Sequence, residues 1–286
     1  MVTRIISAVI GAIVFLTVCF CGQIPSLIGV TVLAALATWE FTRGYAKAFS
    51  QRTETDPPAP NLSANALVAW IGLIFPLITY NALRTQQTAT TNQFAVLLGV
   101  LVLVLALRLR RAFRSEGVLG RLKNSYGIVG MMYVGMLFSS FTLLRALPGQ
   151  LTLSPLPVFD LAAWLMLFTA ASVWATDTFA YFVGKRFGKT PFAPKVSPAK
   201  TWEGFVGGFI GAIIVGVLCA KGIGISLQHG AIVGLIAGIF GPLGDLFESA
   251  LKRELALKDF GSIMPGHGGI LDRFDSLLFV TPLIYL

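Results

Sequence analysis

Runs of apolar residues long enough to cross a bilayer core, which takes about 20 helical residues, repeat along the whole chain and are separated by short polar stretches. Nine runs read as spans: residues 4–21, 24–43, 65–83, 93–108, 127–147, 161–183, 203–220, 231–251 and 274–286. The ninth is the shortest. No polar stretch is large enough for a separate soluble domain, so the pattern predicts one all-α, polytopic integral membrane domain over residues 1–286. Between residues 51 and 61, Pro57, Pro58 and Pro60 stop any helix and mark a connector. Gly204, Gly207, Gly208 and Gly211 have the small-residue spacing that lets two helices approach closely.

Composition agrees with this pattern: 55% of the 286 residues are hydrophobic, 12% are charged, and the mean hydropathy is +0.78. Cys19, Cys21 and Cys219 all lie inside apolar runs, where a thiol behaves as a small hydrophobe, and imply neither a disulfide framework nor a metal site. The first run, behind Arg4, has the length of a signal-peptide core. No small-x-small cleavage site follows it and more spans do, so it reads as a retained span.

A net charge of +9 would suggest nucleic acid in a soluble protein, but here the basic residues are spread over the gaps between spans, and no nucleic-acid partner is expected. With a cytoplasmic N-terminus, 19 of the 22 basic residues fall on one side, leaving Arg84, Arg145 and Lys221 on the other. The positive-inside rule therefore places the N-terminus in the cytoplasm. The cluster from Arg108 to Arg114 suits anionic headgroups, at about 1 kcal/mol per basic residue near the surface, or a simple topology anchor.

An ionisable residue at membrane depth costs several kcal/mol unless it is hydrated, paired or bound to metal, which makes such positions informative. Asp177 lies within the sixth span, Asp245 and Glu248 near the end of the eighth, and Glu203 at the start of the seventh, while Asp272 and Asp275 introduce the ninth. On this topology all of them open toward the cytoplasm. Glu40 falls at a similar depth in the second span but has Arg43 three residues on, and pairing within the helix is its simplest reading.

On a helix, Asp245, Ser249 and Lys252 share a face, as do Asp272, Asp275 and Ser276. These faces bracket a loop holding Lys258, Asp259 and Pro265-Gly266-His267-Gly268-Gly269. Its glycines let backbone N–H groups approach an anion, and the following helix offers its positive end. Paired carboxylates suit Mg²⁺, a hard ion that shares oxygen ligands with phosphates. Taken singly, the glycines fit a tight turn, His267 a capping role and Lys252-Arg253 a topology signal; taken together they read as a phosphate-and-metal site. A second cluster, Ser197 to Gly204, opens the seventh span. Pro198 fits the first turn of a helix with Ser197 as N-cap, which would turn Lys200 and Thr201 toward cytoplasmic anions.

The run from Ser249 through Lys252, Lys258, Asp259, Pro265-Gly266-His267-Gly268-Gly269 and Asp272-Arg273 to Asp275 resembles the signature of the phosphatidate cytidylyltransferases, or CDP-diacylglycerol synthases. The segment from Trp174 to Tyr181 and that from Ser197 to Gly204 resemble the same family, so the likeness covers roughly the C-terminal half, residues 160–286, with the N-terminal half similar in hydropathy alone. Met264, where leucine is expected, is a conservative departure. The resemblance implies that CTP and phosphatidate give CDP-diacylglycerol and pyrophosphate with Mg²⁺, and leaves room for a second cation, monovalent or divalent. It implies metal ligation by Asp245 and Asp272. Lys200, Lys252, Lys258, Asp259, His267, Arg273 and Asp275 become catalytic candidates, and Asp177, Ser197, Thr201, Glu203, Ser249, Gly266, Gly268 and Gly269 substrate-binding candidates. A homodimer, and a multi-pass place in a bacterial-type cytoplasmic membrane, are further expectations.

Two rivals make different demands on the sequence. An enzyme of the CDP-alcohol phosphotransferase type would carry aspartates that recur with three residues between them, whereas Asp272 and Asp275 have two, and the Asp-x-x-Asp-Gly-x-x-Ala-Arg run expected of it is absent. An ion-coupled transporter would place acids near mid-membrane within paired repeats, and no internal repeat is visible here.

Overall fold

The computed structural model describes residues 2–50, 62–85, 92, 94, 96–102, 104–105, 126–148, 150–152, 158–266 and 268–286. The proline-rich connector, the Arg108 to Arg114 cluster and much of the fourth predicted span lie outside the described residues, although residues 96–102 are helical.

Two helices open the chain, α1 (Val2–Phe20) and α2 (Gln23–Ser50). The second runs well past its predicted end at Arg43 because Tyr45 and Phe49 still have aromatic surface to cover: their rings lie 4.6 and 6.2 Å from that of Tyr126. α3 (Leu62–Ile71) and α4 (Ile74–Arg84) follow. The sequence predicts one span here, yet the helix breaks at Gly72 and Leu73. Gly72 lies directly against Gly135, so close that a Cβ on Gly135 would come within 2.4 Å of the Gly72 Cα.

Gly135 belongs to α5 (Tyr126–Arg145), whose middle, Gly130–Met136, is wound as a π-helix. Such wide turns often accompany functional sites. This one holds Tyr133 in the interior, its ring 5.0 Å from Phe247 and 6.3 Å from Phe279. From there α6 (Leu161–Phe187), α7 (Trp202–Ile223), α8 (Leu227–Glu254) and α9 (Leu271–Tyr285) pack in series, each on the next. Asp160 starts α6 by accepting the Ala162 N–H at 3.0 Å, and its other oxygen pairs with Arg145 at 2.7 Å, which ties the end of α5 to the start of α6. Ser226 caps α8, and Gly224, at a φ of 75°, ends α7.

The predicted glycine face is the α6–α7 contact. A Cβ on Gly204 would lie 2.8 Å from the Ala180 carbonyl oxygen, and one on Gly208 would lie 2.6 Å from that of Thr176. Larger residues would push the two helices apart and widen the site between them.

Among the described residues, five helical stretches are long and apolar enough to cross a membrane: Gln23–Ser50, Leu62–Arg84, Tyr126–Arg145, Trp202–Ile223 and Leu227–Glu254. Large apolar side chains such as Ile13, Ile28, Leu67, Ile210 and Leu218 stand exposed on helix exteriors. That much outward apolar surface suits lipid rather than water. The chain is a helical membrane protein. It is not purely helical: β1 (Gln150–Thr152) pairs antiparallel with β2 (Val158–Asp160), and β3 (Pro191–Ala193) with β4 (Ser197–Thr201).

Candidate active site

The second hairpin corrects one sequence expectation. Ser197 does not cap a helix, because residues 197–201 are extended and paired with residues 191–193. Thr201 is the N-cap of α7, its hydroxyl accepting the Gly204 N–H at 3.2 Å. Pro198 is tolerated because a two-stranded hairpin leaves one edge of each strand without ladder bonds. Two clamps hold the hairpin. Arg253 Nε, from the end of α8, donates to the Val196 carbonyl at 3.2 Å. Glu203 accepts the N–H groups of Lys189 and Thr190 at 3.1 and 3.2 Å and the Thr190 hydroxyl at 3.0 Å.

With α6, α7 and α8, this hairpin encloses a cleft of about 450 Å³ whose lining includes Asp177, Ser197, Lys200, Thr201 and Asp245. Lys200 Nζ donates to Asp245 Oδ2 at 2.5 Å, and Ser249, one helical turn from Asp245, donates to its other oxygen at 3.2 Å. Glu203 stays outside this cleft and lines an apolar groove between α6 and α7.

The loop between α8 and α9 forms a second cleft, of about 580 Å³, lined by Lys258, Asp259, Gly266, Gly268 and Arg273 among others. Gly266 and Gly268 take φ values of 78° and 86°, a left-handed conformation that disfavours residues with a Cβ. The Met264 N–H closes the turn on the Gly268 carbonyl at 2.9 Å. His267 lies outside the described residues. The loop is anchored from the N-terminal half: Phe260 stacks on Phe41 with centroids 5.5 Å apart, and Ser7 Oγ donates to the Pro265 carbonyl at 3.0 Å.

Between the clefts, Lys252 Nζ bridges two acids, donating to Glu248 Oε2 at 2.6 Å and to Asp272 Oδ1 at 2.7 Å. The other Asp272 oxygen accepts the Gly269 N–H at 2.9 Å. Asp272 lies inside the first turn of α9 rather than ahead of it. Asp275 is buried close by, where Gly244 lets α8 and α9 touch: a Cβ on Gly244 would sit 2.5 Å from the Asp275 carbonyl oxygen. Asp177 is within electrostatic reach of Asp245, Lys200 and Arg273, and Asp275 of Asp245, Asp177 and Lys200.

The described cluster therefore sets five carboxylates, those of Asp177, Asp245, Glu248, Asp272 and Asp275, against three basic groups, those of Lys200, Lys252 and Arg273. Like charges crowded at low dielectric repel one another, and a cation relieves that repulsion. The donors are hard oxygens, as Mg²⁺ requires. Among the described residues no three potential ligands converge into a metal cage. Mg²⁺ needs none, because it is commonly held by one or two carboxylates with waters and substrate phosphates completing its shell. The donor set fits the ion.

Two acids noted in the sequence at membrane depth, Glu248 and Glu40, have no assigned role in the site there, and the structure brings both into this region. Glu248 orients Lys252, and its spacing of four residues from that lysine was a visible signal. Glu40 does not pair with Arg43, whose guanidinium lies 5.0 Å over the Trp39 ring. Its Oε2 instead accepts the Leu271 N–H at 3.2 Å, at the foot of the glycine loop.

Taken together, the helical membrane fold and a polar cluster of lysines, carboxylates and glycine-borne amides define a membrane-embedded protein equipped for phosphate chemistry. The cytidylyltransferase family model matches residues 2–286, and the chain belongs to that family. It is a nucleotidyltransferase. It is 32% identical over 291 residues to the phosphatidate cytidylyltransferase of Bacillus subtilis (strain 168), covering 99% of this chain and 95% of that protein. It is also 32% identical over 286 residues to the enzyme of the same name from Staphylococcus aureus (strain COL), covering 99% and 97%. Against that of Staphylococcus saprophyticus subsp. saprophyticus, a stretch of 121 residues is 50% identical, covering 42% of this chain and 46% of the relative. The family match thus extends through the N-terminal half, where the sequence alone suggested similarity only in hydropathy.

Proposed function

We propose that this cytidylyltransferase condenses CTP with phosphatidate to form CDP-diacylglycerol and pyrophosphate. The observation that carries the reading is the pair of lysine–carboxylate contacts, Lys200 on Asp245 in the first cleft and Lys252 on Asp272 against the glycine loop. Full-length relatives named for this activity supply the substrates.

A phosphatidate oxygen attacks the α-phosphorus of CTP. The new P–O bond forms as the bond to the α–β bridging oxygen breaks, and pyrophosphate leaves with that electron pair. The nucleophile is largely ionised already, since a phosphomonoester's second pKa is about 6, so no serine or histidine has to remove a proton. The protein's task is to screen the charges of two anions and keep the attacking and leaving oxygens in line. Lys200 and Lys252 do this as they exchange carboxylate partners for phosphate oxygens, with Arg273 on the wall of the second cleft adding its charge, and the glycine loop adds backbone N–H groups. Asp245 and Asp272 would hold Mg²⁺, which supplies charge neutralisation at the phosphates, with Asp177 or Asp275 supporting a ligand, a water or a second cation.

The chain crosses a bacterial-type cytoplasmic membrane about nine times with its N-terminus and site on the cytoplasmic face; the distribution of its basic residues supports this orientation. It works as a homodimer, as the family resemblance suggests, and crosslinking in native membranes tests that.

Purified protein incubated with radiolabelled CTP and phosphatidate should transfer cytidine label into the chloroform phase, and chelator should abolish the transfer. Folded protein giving no extractable label would sink the reading. Asp272→Asn should lower Mg²⁺-dependent turnover by about 10²–10³-fold, the usual size of losing one charge-stabilising group; near-normal turnover would remove Asp272 from the metal site.

A further inference from the structure

We propose that Glu40, in the N-terminal half, is a positioning residue for this site. It acts as the clasp of the glycine loop, and its catalytic consequence rests on the transferase reading above.

Glu40 is 1% exposed in α2 and reaches the loop's neck, where the outgoing and returning arms run side by side. Its Oε2 accepts the Leu271 N–H at 3.2 Å, the N–H groups of Ile270, on the same arm, and Ile263, on the other, lie within electrostatic reach, and its Oε1 has no hydrogen-bond partner among the described residues. One glycine on each arm makes room for it. A Cβ on Gly261 would meet Oε1 at 2.0 Å, and one on Gly269 would meet Oε2 at 2.4 Å. Buried among apolar helices, the side chain depends on the donors of the loop's neck, because bonds to water are out of reach.

The chemistry lies a few atoms further on. Gly269, packed on Glu40, donates its own N–H to Asp272 at 2.9 Å, and Asp272 holds Lys252 at 2.7 Å. Arg273, on the wall of the second cleft, is two residues from Leu271. If the neck relaxes, the Gly269 N–H, Asp272, Lys252 and Arg273 all lose their reference position. Displacement of a reacting group by about 1 Å is enough for a 10²-fold loss of rate. Glu40 touches neither substrate in this scheme and acts through Asp272 and Arg273.

The test compares full-length wild type, Glu40→Ala and Glu40→Gln, purified in lipid nanodiscs. Hydrogen exchange, read without substrate or metal, should rise about tenfold or more at residues 261–271 in Glu40→Ala and stay unchanged in α6 and α7, the pattern of a local opening. Turnover should fall about tenfold or more, with a higher half-activating Mg²⁺ concentration, because Asp272 is no longer preset. Glu40→Gln keeps an acceptor for Leu271 and should recover most of both readouts. The proposal is overturned if Glu40→Ala exchanges and turns over like wild type, if exchange rises throughout the helices, or if Glu40→Gln is as impaired as Glu40→Ala. Because exchange needs no substrate, its outcome is separate from whether the chain transfers cytidylate.

Discussion

Glu40 and Glu203 each gather backbone N–H groups from a segment that carries phosphate-binding candidates, but they do so from different surroundings. Glu40 is enclosed in α2 and serves the loop before α9, whereas Glu203 is partly exposed at the start of α7 and serves the entry to the Lys200 hairpin. Water can replace an exposed acceptor almost without loss, while a buried donor that loses its partner bears the full desolvation penalty. The glycine loop should therefore depend on its clasp far more than the hairpin depends on its own.

The strongest way to break this comparison is to crowd the buried clasp. Gly269→Ala would drive a methyl group into the Glu40 carboxylate, and overpacking of this kind usually costs about 1–3 kcal/mol. Both melting temperature and turnover should fall. Adding Glu40→Ala makes space for the methyl, so the double variant should lose less stability than the two single changes combined. An additive cycle, measured by thermal denaturation of the purified protein, would show that Gly269 and Glu40 do not press on each other.

Glu203→Ala probes the exposed side, and its expected effect is smaller. The Lys189 and Thr190 N–H groups turn to water, and Arg253 still fastens the hairpin at Val196. Turnover should change by no more than about twofold, as expected where water can replace the lost acceptor. A loss approaching that of Glu40→Ala in the same assay would erase the distinction between the two segments.

What the sequence disclosed follows the same division between local and distant causes. The apolar runs were readable because span length and hydropathy are properties of each segment alone. Asp245, Ser249 and Lys252 announced themselves as polar groups at helical spacing in an apolar chain, and Ser249 does bond to Asp245 one turn away. The misreadings arose where a partner far along the chain decides. Ser197-Pro198 imitates a helix start, and only its pairing with residues 191–193 makes it a strand. Arg43 is the nearest cation to Glu40 in sequence, yet the carboxylate turns to an amide 231 positions away. The break at Gly72 has no local signal beyond one glycine, because its cause is Gly135 on another helix.

The smallest expected effect tests whether the glycine loop is held at its neck or at its entry. Ala256, just beyond α8, has a φ of 54°, a left-handed conformation costing a residue with a Cβ about 1–2 kcal/mol. It is held there by the turn that ends the helix, with the Leu257 N–H donating to the Lys252 carbonyl at 2.8 Å. Ala256→Gly removes the strain but adds about 0.5–1 kcal/mol of backbone entropy to be lost on folding, so the net gain is about 0.5–1 kcal/mol. The melting temperature should rise by about 1–3 °C for a chain of this size, and turnover should be unchanged. If turnover instead falls markedly while stability rises, the strained turn at Ala256 presets Lys252 and the loop from the α8 side, and Glu40 is not the principal clasp.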